Sequence, residues 1–301
     1  MAAPQLFDRS LARRRLARAL REGASGADFL VARAAEELGG RLSAVLRRFP
    51  VGLDLGTPTR HAARTLVGGG QVDMVLRLAP VADGAPDPAW LGLVGDEEAL
   101  PLAEQSLDLV TSLFALQGVN DLPGTLVQVR RALRPDGLFV ACLAGGATLG
   151  ELRQALTEAE SEVEGGASPH VSPFADVRDM GALLQRAGFA LPVTDVDSVV
   201  VRYGDALALM RDLRAMGATN ALIARRRQPL HRATLLRAAE IYGARFSDPD
   251  GRVRATFEIV WLSGWAPHES QQKPLRPGSA LRRLAEALGV PEQPAGEAPG
   301  R

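Results

Sequence analysis

Residues 49–60 read FPVGLDLGTPTR and contain the start of a predicted α/β domain. An apolar strand over 51–55 includes Asp54 and is followed at once by Gly56. A buried strand that ends in an acid and a glycine is the usual entry to a nucleotide-binding α/β fold, in which a glycine-rich turn comes next. Here the chain continues Thr-Pro-Thr-Arg instead. This stretch therefore predicts such a fold with an altered ligand-contacting turn.

Apolar segments recur along the chain, with helical segments between most of them. Besides 51–55, strands are predicted at 71–78, 91–94, 106–116, 138–144, 193–203 and 255–265. Continuous apolar strands that alternate with helices indicate a parallel sheet with helices on both faces. We therefore predict an α/β fold built on a mostly parallel sheet of about seven strands.

Three regions are predicted along the chain. Residues 1–48 form an N-terminal helical segment that packs on the core, and residues 49–289 form the main domain. A helical insertion around 150–246 forms a cap beside the last two strands, and the glutamates of its first helix are interpreted as a solvated face. Residues 290–301 are rich in proline and glycine, which predicts a disordered tail.

Composition excludes several function classes. Lys plus Arg and Asp plus Glu each number 35, so no net charge attracts nucleic acid or an anionic membrane. The longest uncharged stretch, 137–150, is much shorter than the roughly 20 residues that span a bilayer, so no membrane insertion is expected. A single cysteine, Cys142, and four scattered histidines predict no disulfide and no metal site. The cysteine content fits a reducing compartment, and we predict a cytoplasmic location.

The order of these motifs resembles the class I S-adenosylmethionine-dependent methyltransferase fold. An acid ends the first strand, an Asp-Glu-Glu run follows the third, and a Pro-Asp-Gly turn precedes the fifth. In that fold a glycine loop contacts the methionine end of the cofactor, and carboxylates bind the ribose hydroxyls and the adenine amino group. The resemblance implies a Rossmann-like sheet with an antiparallel last strand, and it implies S-adenosylmethionine contacts from Asp54, Gly56, Asp96, Glu97 and Ser112.

A narrower resemblance covers residues 6 to about 280. The segments FDRSLARRRLARAL, GGASPHVSPFADVRDMGALLQRAGF and GWAPHESQQKPLRPGSA are similar to the mitochondrial complex I assembly factor 5 group and its alphaproteobacterial relatives. Membership of this group implies hydroxylation of an arginine on an iron–sulfur subunit of respiratory NADH dehydrogenase during assembly. The segments that we associate with partner binding, including the loop GGASPHVSPF, are thus well kept in this chain.

The cofactor side departs from the family pattern. The later glycines of the family loop fall on Pro58 and Arg60, and the family acid of the second strand falls on Arg77. The family His-Trp pair after the fourth strand is Gln117-Gly118. Proline lacks an N–H group and fixes φ, so it is a poor substitute for glycine in a ligand-binding turn. Three lost contacts, each of about 1–3 kcal/mol, would reduce affinity for S-adenosylmethionine by several decades.

Three alternatives remain open for this ligand. The chain binds S-adenosylmethionine unchanged, or it has lost that binding, or Arg60 and Arg77 now accept a phosphate-bearing ligand, as arginine does in NADP sites. We expect residues 57–60 not to trace the glycine turn, and we expect Arg60 or Arg77 to intrude on the cofactor space or to face an anion.

No catalytic residue is assigned from sequence. His170 lies in a proline-flanked loop that suits either a turn or a contact with a substrate peptide, and the adjacent His268 and Glu269 form an acid–base pair by type only. We predict an assembly-factor-type protein that contacts an NADH dehydrogenase subunit through a groove framed by GGASPHVSPF and GWAPHESQQKP. The alternative is an active S-adenosylmethionine-dependent methyltransferase with a small-molecule or acyl substrate.

Overall fold

The computed structural model describes residues 5–23, 26–174 and 176–272. Residues up to Pro267 form one compact unit. The predicted tail at 290–301, and the part of the main domain from 273 to 289, lie outside the described residues.

A seven-stranded sheet has the strand order β3-β2-β1-β4-β5-β7-β6. The first five strands pair in parallel, and β7 runs antiparallel to both β5 and β6. The predicted α/β fold with a mostly parallel sheet and an antiparallel last strand is confirmed. The strands are β1 (Phe49–Leu55), β2 (Val72–Ala79), β3 (Leu91–Val94), β4 (Leu107–Leu113), β5 (Leu133–Ala144), β6 (Ala190–Tyr203) and β7 (Val253–Trp265).

Helices cover both faces of the sheet and one end of it. Helices α2 and α3 pack on one face, and α4 and α6 pack on the other, each against its own apolar core. A third core joins α5, α7 and α8 to the first half of β7. The helices are α1 (Arg9–Glu22), α2 (Phe29–Ser43), α3 (His61–Gly68), α4 (Leu122–Ala132), α5 (Gly150–Glu164), α6 (Val177–Arg186), α7 (Ala206–Ala215) and α8 (Arg232–Phe246).

The central strand β4 shows why the apolar run predicted a doubly covered sheet. All seven of its residues are buried. Leu107 and Val110 join the core under α4 and α6, whereas Leu109 and Leu113 join the core under α2 and α3. A strand buried on both faces has no need for alternating polar residues, because neither face meets solvent.

Several element boundaries differ from the sequence prediction, and the differences at the end of α2 and the start of β5 are the largest. Helix α2 ends at Ser43 rather than near Arg48. Strand β5 starts at Leu133 and includes the Pro-Asp-Gly segment predicted as a turn. Asp136 has a positive φ of 64°, and its N–H donates to Ala266 O at 3.0 Å. A tertiary contact with the chain just after β7 therefore extends the strand through a local distortion.

The region 150–246 is not helical throughout. It contains the long edge strand β6 and helix α6, and α6 packs on the main sheet. Helices α5, α7 and α8 alone form the cap, by which we mean this three-helix group. None of the helices in the described ranges is long and apolar enough to cross a membrane.

Candidate functional site

A cavity of about 680 Å³ lies at the carboxyl ends of β1, β4 and β5. Its walls come from one face of α1, the start of α2, the loops that follow these three strands, and the chain at the end of α7. Most of the lining side chains are apolar. Open α/β sheets bind ligands at this edge, and the volume falls within the range of about 300–1,000 Å³ for ligand sites.

The loop after β1 still requires glycine at one position. Gly56 has φ of +71°, and a Cβ there would lie 2.9 Å from both Ala115 Cβ and Glu97 Cγ. The next residue, Thr57, is buried, and its hydroxyl accepts from Leu113 N at 3.1 Å, which ties the loop to β4. The loop then leads straight into α3, and Pro58 lines the cavity where the family loop has a glycine.

Arg77 lies beneath this loop rather than in the cavity. Its side chain is 2% exposed, and its guanidinium bonds the fully buried carboxylate of Asp54. It also donates to Asp83 Oδ2 at 2.8 Å and to Thr57 O at 3.0 Å. Burial raises the pKa of Asp54 to about 6, although the charge of Arg77 opposes this rise. Arg77 therefore faces protein carboxylates, and Asp54 is unavailable to a ligand.

Arg60 is held at the cavity wall. Its guanidinium donates to Asp83 O at 3.1 Å and to Ala85 O at 2.7 Å, and it lies 5.9 Å from the Trp90 ring centroid. Asp83 thus binds both arginines, because Arg60 and Arg77 contact different oxygens of its carboxylate. These bonds join the loops that follow β1 and β2.

Two arginines of α1 bind the acidic run after β3. The Arg9 guanidinium contacts the carboxylates of Asp96 and Glu97, and it lies 2.7 Å from Glu98. Arg13 lies 2.8 Å from Asp96 and 3.6 Å from Glu97. Burial raises the pKa of Glu97 despite these arginines. Helix α1 therefore neutralises the carboxylates that the resemblance assigns to the adenine end of a cofactor.

The structure separates the five residues predicted to contact a cofactor. Gly56 and Glu97 line the cavity. Asp54 and Ser112 are fully buried in the sheet, and Asp96 is engaged with α1 outside the cavity lining. The Ser112 hydroxyl forms no hydrogen bond with any described residue.

Sequence reasoning missed the arginines of α1. Arg9, Arg13 and Leu16 follow the i, i+4, i+7 spacing of one helix face, and that face covers the cavity. The run of arginines in this segment does not indicate by itself which of them face the cavity. Gln117, which replaces a family histidine, also lines the cavity, and its Nε2 donates to Phe114 O at 2.8 Å.

His170 anchors the loop 165–174 to helix α5. Its Nε2 lies 2.9 Å from Glu160 Oε2, and Ser168 N donates to the same oxygen at 2.6 Å. Glu160 is 3% exposed, so the interpretation of the α5 glutamates as a solvated face is wrong at this position. Ser172 and Phe174, farther along the loop, line the cavity. His170 is thus a loop anchor whose effect on the site is indirect.

His268 and Glu269 fall in the second unit of the chain, of which residues 268–272 are described. His268 Nδ1 lies 2.7 Å from Ser270 Oγ. No contact joins the two members of the predicted acid–base pair within these five residues.

Replacement of Arg77 by methionine tests the buried ion network. Arg77→Met leaves the carboxylates of Asp54 and Asp83 without their main cation, and breaking a buried pair typically costs about 3–5 kcal/mol. We expect a loss of this size in the free energy of urea unfolding. The control is Arg60→Met, which removes a more exposed partner of Asp83 and should cost about 1 kcal/mol or less. Equal losses in the two variants would contradict the network's role.

The Glu160 anchor predicts a pH-dependent loss of stability. Burial alone would raise the pKa of Glu160, but bonds from Ser168 and His170 lower it from 4.5 to about 2. A lowered carboxyl pKa stabilises the fold above the ordinary value, and this contribution is lost as pH falls through the folded value. Glu160→Gln should therefore cost about 2–3 kcal/mol at pH 7 and progressively less from about pH 4.5 to 2.

The matched control is Glu162→Gln, which alters an exposed glutamate of the same helix. Unfolding by urea across the pH range should give a curve for Glu162→Gln much closer to that of the unaltered protein, because this carboxylate is exposed, although its bond with Arg237 lowers its pKa. A pH-independent loss in Glu160→Gln would show that its carboxylate charge is not what holds the loop.

Comparison with known protein families supports the methyltransferase resemblance. The family model described as a methyltransferase domain matches residues 39–141. Two solved structures share the fold at low identity. The putative methyltransferase BH2331 of Bacillus halodurans has a TM-score of 0.53 and 15% identity, and the match covers 77% of this chain and 98% of that one. The YcgJ protein of Bacillus subtilis has a TM-score of 0.52 and 12% identity, and the match covers 77% of this chain and 99% of that one.

Curated relatives give a narrower assignment. The mitochondrial arginine-hydroxylase NDUFAF5 of Danio rerio is 40% identical over 283 residues, which are 91% of this chain and 87% of that protein. The human protein of the same name is 39% identical over 93% of this chain and 83% of its own length. A malonyl-[acyl-carrier protein] O-methyltransferase of Laribacter hongkongensis is 42% identical, but over only 61% of this chain and 59% of that protein.

These relatives correct one sequence-based prediction. The NDUFAF5 proteins are named as mitochondrial, so the predicted cytoplasmic location is wrong by this comparison and is withdrawn. The resemblance to the assembly factor group is confirmed, because the match extends through the sheet and the cap alike. The chain belongs to the family of the arginine-hydroxylase NDUFAF5, on a methyltransferase-type fold.

Proposed function

We propose that this chain is an assembly factor that binds an arginine-bearing subunit of respiratory NADH dehydrogenase and modifies or chaperones it. One observation carries the proposal: the likeness to NDUFAF5 covers 91% of the chain, including the cap and loop 165–174. The likeness to the malonyl-carrier methyltransferase is limited to 61% of the chain. The longer match supports a shared partner surface as well as a shared fold.

The cavity supports recognition of an arginine side chain. Phe114 and Phe174 give an apolar wall suited to the methylene stem, and Glu97 gives a carboxylate at the wall. This carboxylate already accepts a guanidinium group from Arg9, so a substrate arginine would replace Arg9 there with a contact of the same kind. Charge-assisted bonds of this kind are the strong contacts that select arginine.

Ordinary S-adenosylmethionine binding is not supported by the residues present. Where the family has an acid that binds the ribose, this chain has Arg77, which is buried against Asp54. Pro58 offers no N–H to the ligand. Asp96, Glu97 and Glu98 are bonded to α1. We infer weak or absent binding of this cofactor, with Gly56 and Glu97 as the two predicted contacts still at the cavity. We derive no chemical step through it.

A second candidate function is methyl transfer to an acyl substrate. The likeness to malonyl-[acyl-carrier protein] O-methyltransferases and the mostly apolar cavity lining favour it. This alternative requires S-adenosylmethionine to bind, so titration with that molecule discriminates between the two proposals.

Isothermal titration of the purified chain with S-adenosylmethionine should show no binding in the micromolar range, because the polar contacts are missing or engaged. The variant Pro58→Gly/Arg60→Gly/Arg77→Asp rebuilds the family loop and the second-strand acid. We expect it to bind at least tenfold more tightly, about 1.4 kcal/mol, provided that circular dichroism shows it folded. Micromolar binding by the unaltered chain would overturn the degenerate-site proposal and favour the second candidate.

Deletion of the gene should lower the amount of assembled NADH dehydrogenase, measured by native gel activity staining. Rescue by His170→Ala should be weaker than rescue by the unaltered gene, because loop 165–174 loses its anchor on Glu160. The control is His231→Ala, which alters an exposed histidine just before α8. Its Nδ1 is 3.8 Å from Glu164, which lies in α5 like Glu160. Normal enzyme levels in the deletion strain would remove the partner proposal.

A further inference from the structure

Asp28, Thr59 and His61 form a three-residue constellation on the cavity wall. His61 Nδ1 lies 2.8 Å from the hydroxyl oxygen of Thr59, and His61 Nε2 lies 3.6 Å from Asp28 Oδ2. The imidazole thus has a hydroxyl at hydrogen-bonding distance from one nitrogen and a carboxylate slightly beyond that distance from the other. None of the three belongs to the set predicted to contact a cofactor.

Neither the hydroxyl nor the carboxylate is used as a helix cap. Asp28 precedes α2 and makes no side-chain cap bond to it. Thr59 precedes the cap residue of α3, and α3 likewise has no side-chain cap bond. Aspartate at an N-cap commonly bonds the first turn of its helix, so the position of Asp28 beside His61 is not explained by capping.

This order of groups matches a nucleophile, a general base and a residue that orients the base. Such sets are recognised by a nucleophile–base distance of about 2.6–3.2 Å and by a third group on the far side of the base. The Thr59–His61 distance of 2.8 Å satisfies the first condition. Asp28 places a carboxylate oxygen 3.6 Å from the far nitrogen, where its charge would stabilise the imidazolium that forms when His61 takes a proton.

The start of α3 provides donors for a developing oxyanion. His61, Ala62 and Ala63 open this eight-residue helix directly after the loop that carries Thr59. Their backbone N–H groups donate to no described residue outside the helix, and N–H groups of a first turn have no partner within it. When Thr59 attacks the carbon of a carbonyl group, the carbonyl oxygen would develop its negative charge near these donors.

The rest of the cavity is suited to an aliphatic group. Leu16 and Leu20 of α1, Leu213 of α7 and Phe257 of β7 all line it. An unbranched acyl chain would bury apolar surface there at about 25 cal/mol per Å².

We propose that Thr59, His61 and Asp28 form a hydrolytic site for carboxylic esters with an aliphatic acyl chain. Thr59 Oγ1 attacks the ester carbon while His61 Nδ1 takes the hydroxyl proton. The bond from that carbon to the alcohol oxygen breaks, and His61 returns the proton to the departing alcohol. Water then attacks the acyl-threonine, His61 relays its proton to Thr59 Oγ1, and the carboxylic acid leaves. This activity is independent of the proposed assembly function.

The test uses the full chain and p-nitrophenyl octanoate, with p-nitrophenolate release as the readout. Thr59→Ala and His61→Gln should each lower the rate at least tenfold, because general-base catalysis contributes about 10²–10⁴-fold. Thr59→Ser should retain the rate within about threefold, because it keeps the nucleophilic hydroxyl. In the unaltered chain, intact mass spectrometry after a rapid acid quench should show an octanoyl adduct that peptide mapping places on Thr59.

The matched control is Thr157→Ala, which removes an exposed hydroxyl of α5 outside the cavity lining and should leave the rate unchanged. Thermal melting of each variant shows whether it remains folded, and Thr59→Ser guards against loss of activity through misfolding of the alanine variant. The proposal is overturned if the unaltered chain does not hydrolyse the ester above the buffer rate, or if Thr59→Ala and His61→Gln hydrolyse it as fast as the unaltered chain.

Discussion

The buried bond between Arg77 and Asp54 constrains the whole ligand edge of this protein. The parallel register of β1 and β2 places Asp54 directly opposite Arg77, in the interior of the sheet. A guanidinium in such a place must meet carboxylates, since an unpaired buried charge is far more costly than a paired one. Asp83 supplies the second carboxylate and thereby draws the loop after β2 toward the loop after β1. The conformation of both loops thus follows from one inward-pointing arginine.

A similar neutralisation occurs at the next strand end. The carboxylates after β3 face Arg9 and Arg13, so that α1 is attached to the same edge by charge as well as by its apolar face. Backbone bonds reinforce this attachment, since Asn120 Oδ1 accepts from the N–H groups of Leu6 and Phe7 at 2.8 Å each. The N-terminal segment is therefore part of the cavity wall.

The sequence was sufficient for the fold but only partly sufficient for the site. Strand identity and the antiparallel β7 followed from apolar runs and from the family resemblance, because burial on both faces leaves a clear pattern. The replacement of two family glycines by Pro58 and Arg60 was also readable, since these are local changes. Where the arginines point was not readable. A charged residue in an apolar strand has two possible directions, and register with Asp54 decided that Arg77 lies inward.

The interpretation of the α5 glutamates as a solvated face failed at Glu160 for a related reason, and the partner of His170 could not be identified from sequence. Glu160 looks like its exposed neighbours along the helix, and only contact with Ser168 and His170 distinguishes it. Those partners lie eight and ten residues away in a loop without regular periodicity. A long-range or irregular partner leaves no periodic trace in sequence, so polar anchors are less predictable than apolar faces.

The bonds of Arg77 with Asp54 and Asp83, and those of the α1 arginines with the carboxylates after β3, form two neutralised clusters. These clusters change which groups the cavity presents to a ligand. Carboxylates that would accept ribose or adenine groups are bonded within the protein, and what remains at the wall is largely apolar surface with a few polar groups. Nucleoside binding would have to exchange buried charge-assisted bonds for new ones of similar strength, which yields little net free energy. An apolar or amphipathic group, by contrast, gains by displacing water without breaking either cluster. The charge arrangement therefore supports our proposal of weak or absent S-adenosylmethionine binding at a sheet edge that the fold shares with nucleotide-binding proteins.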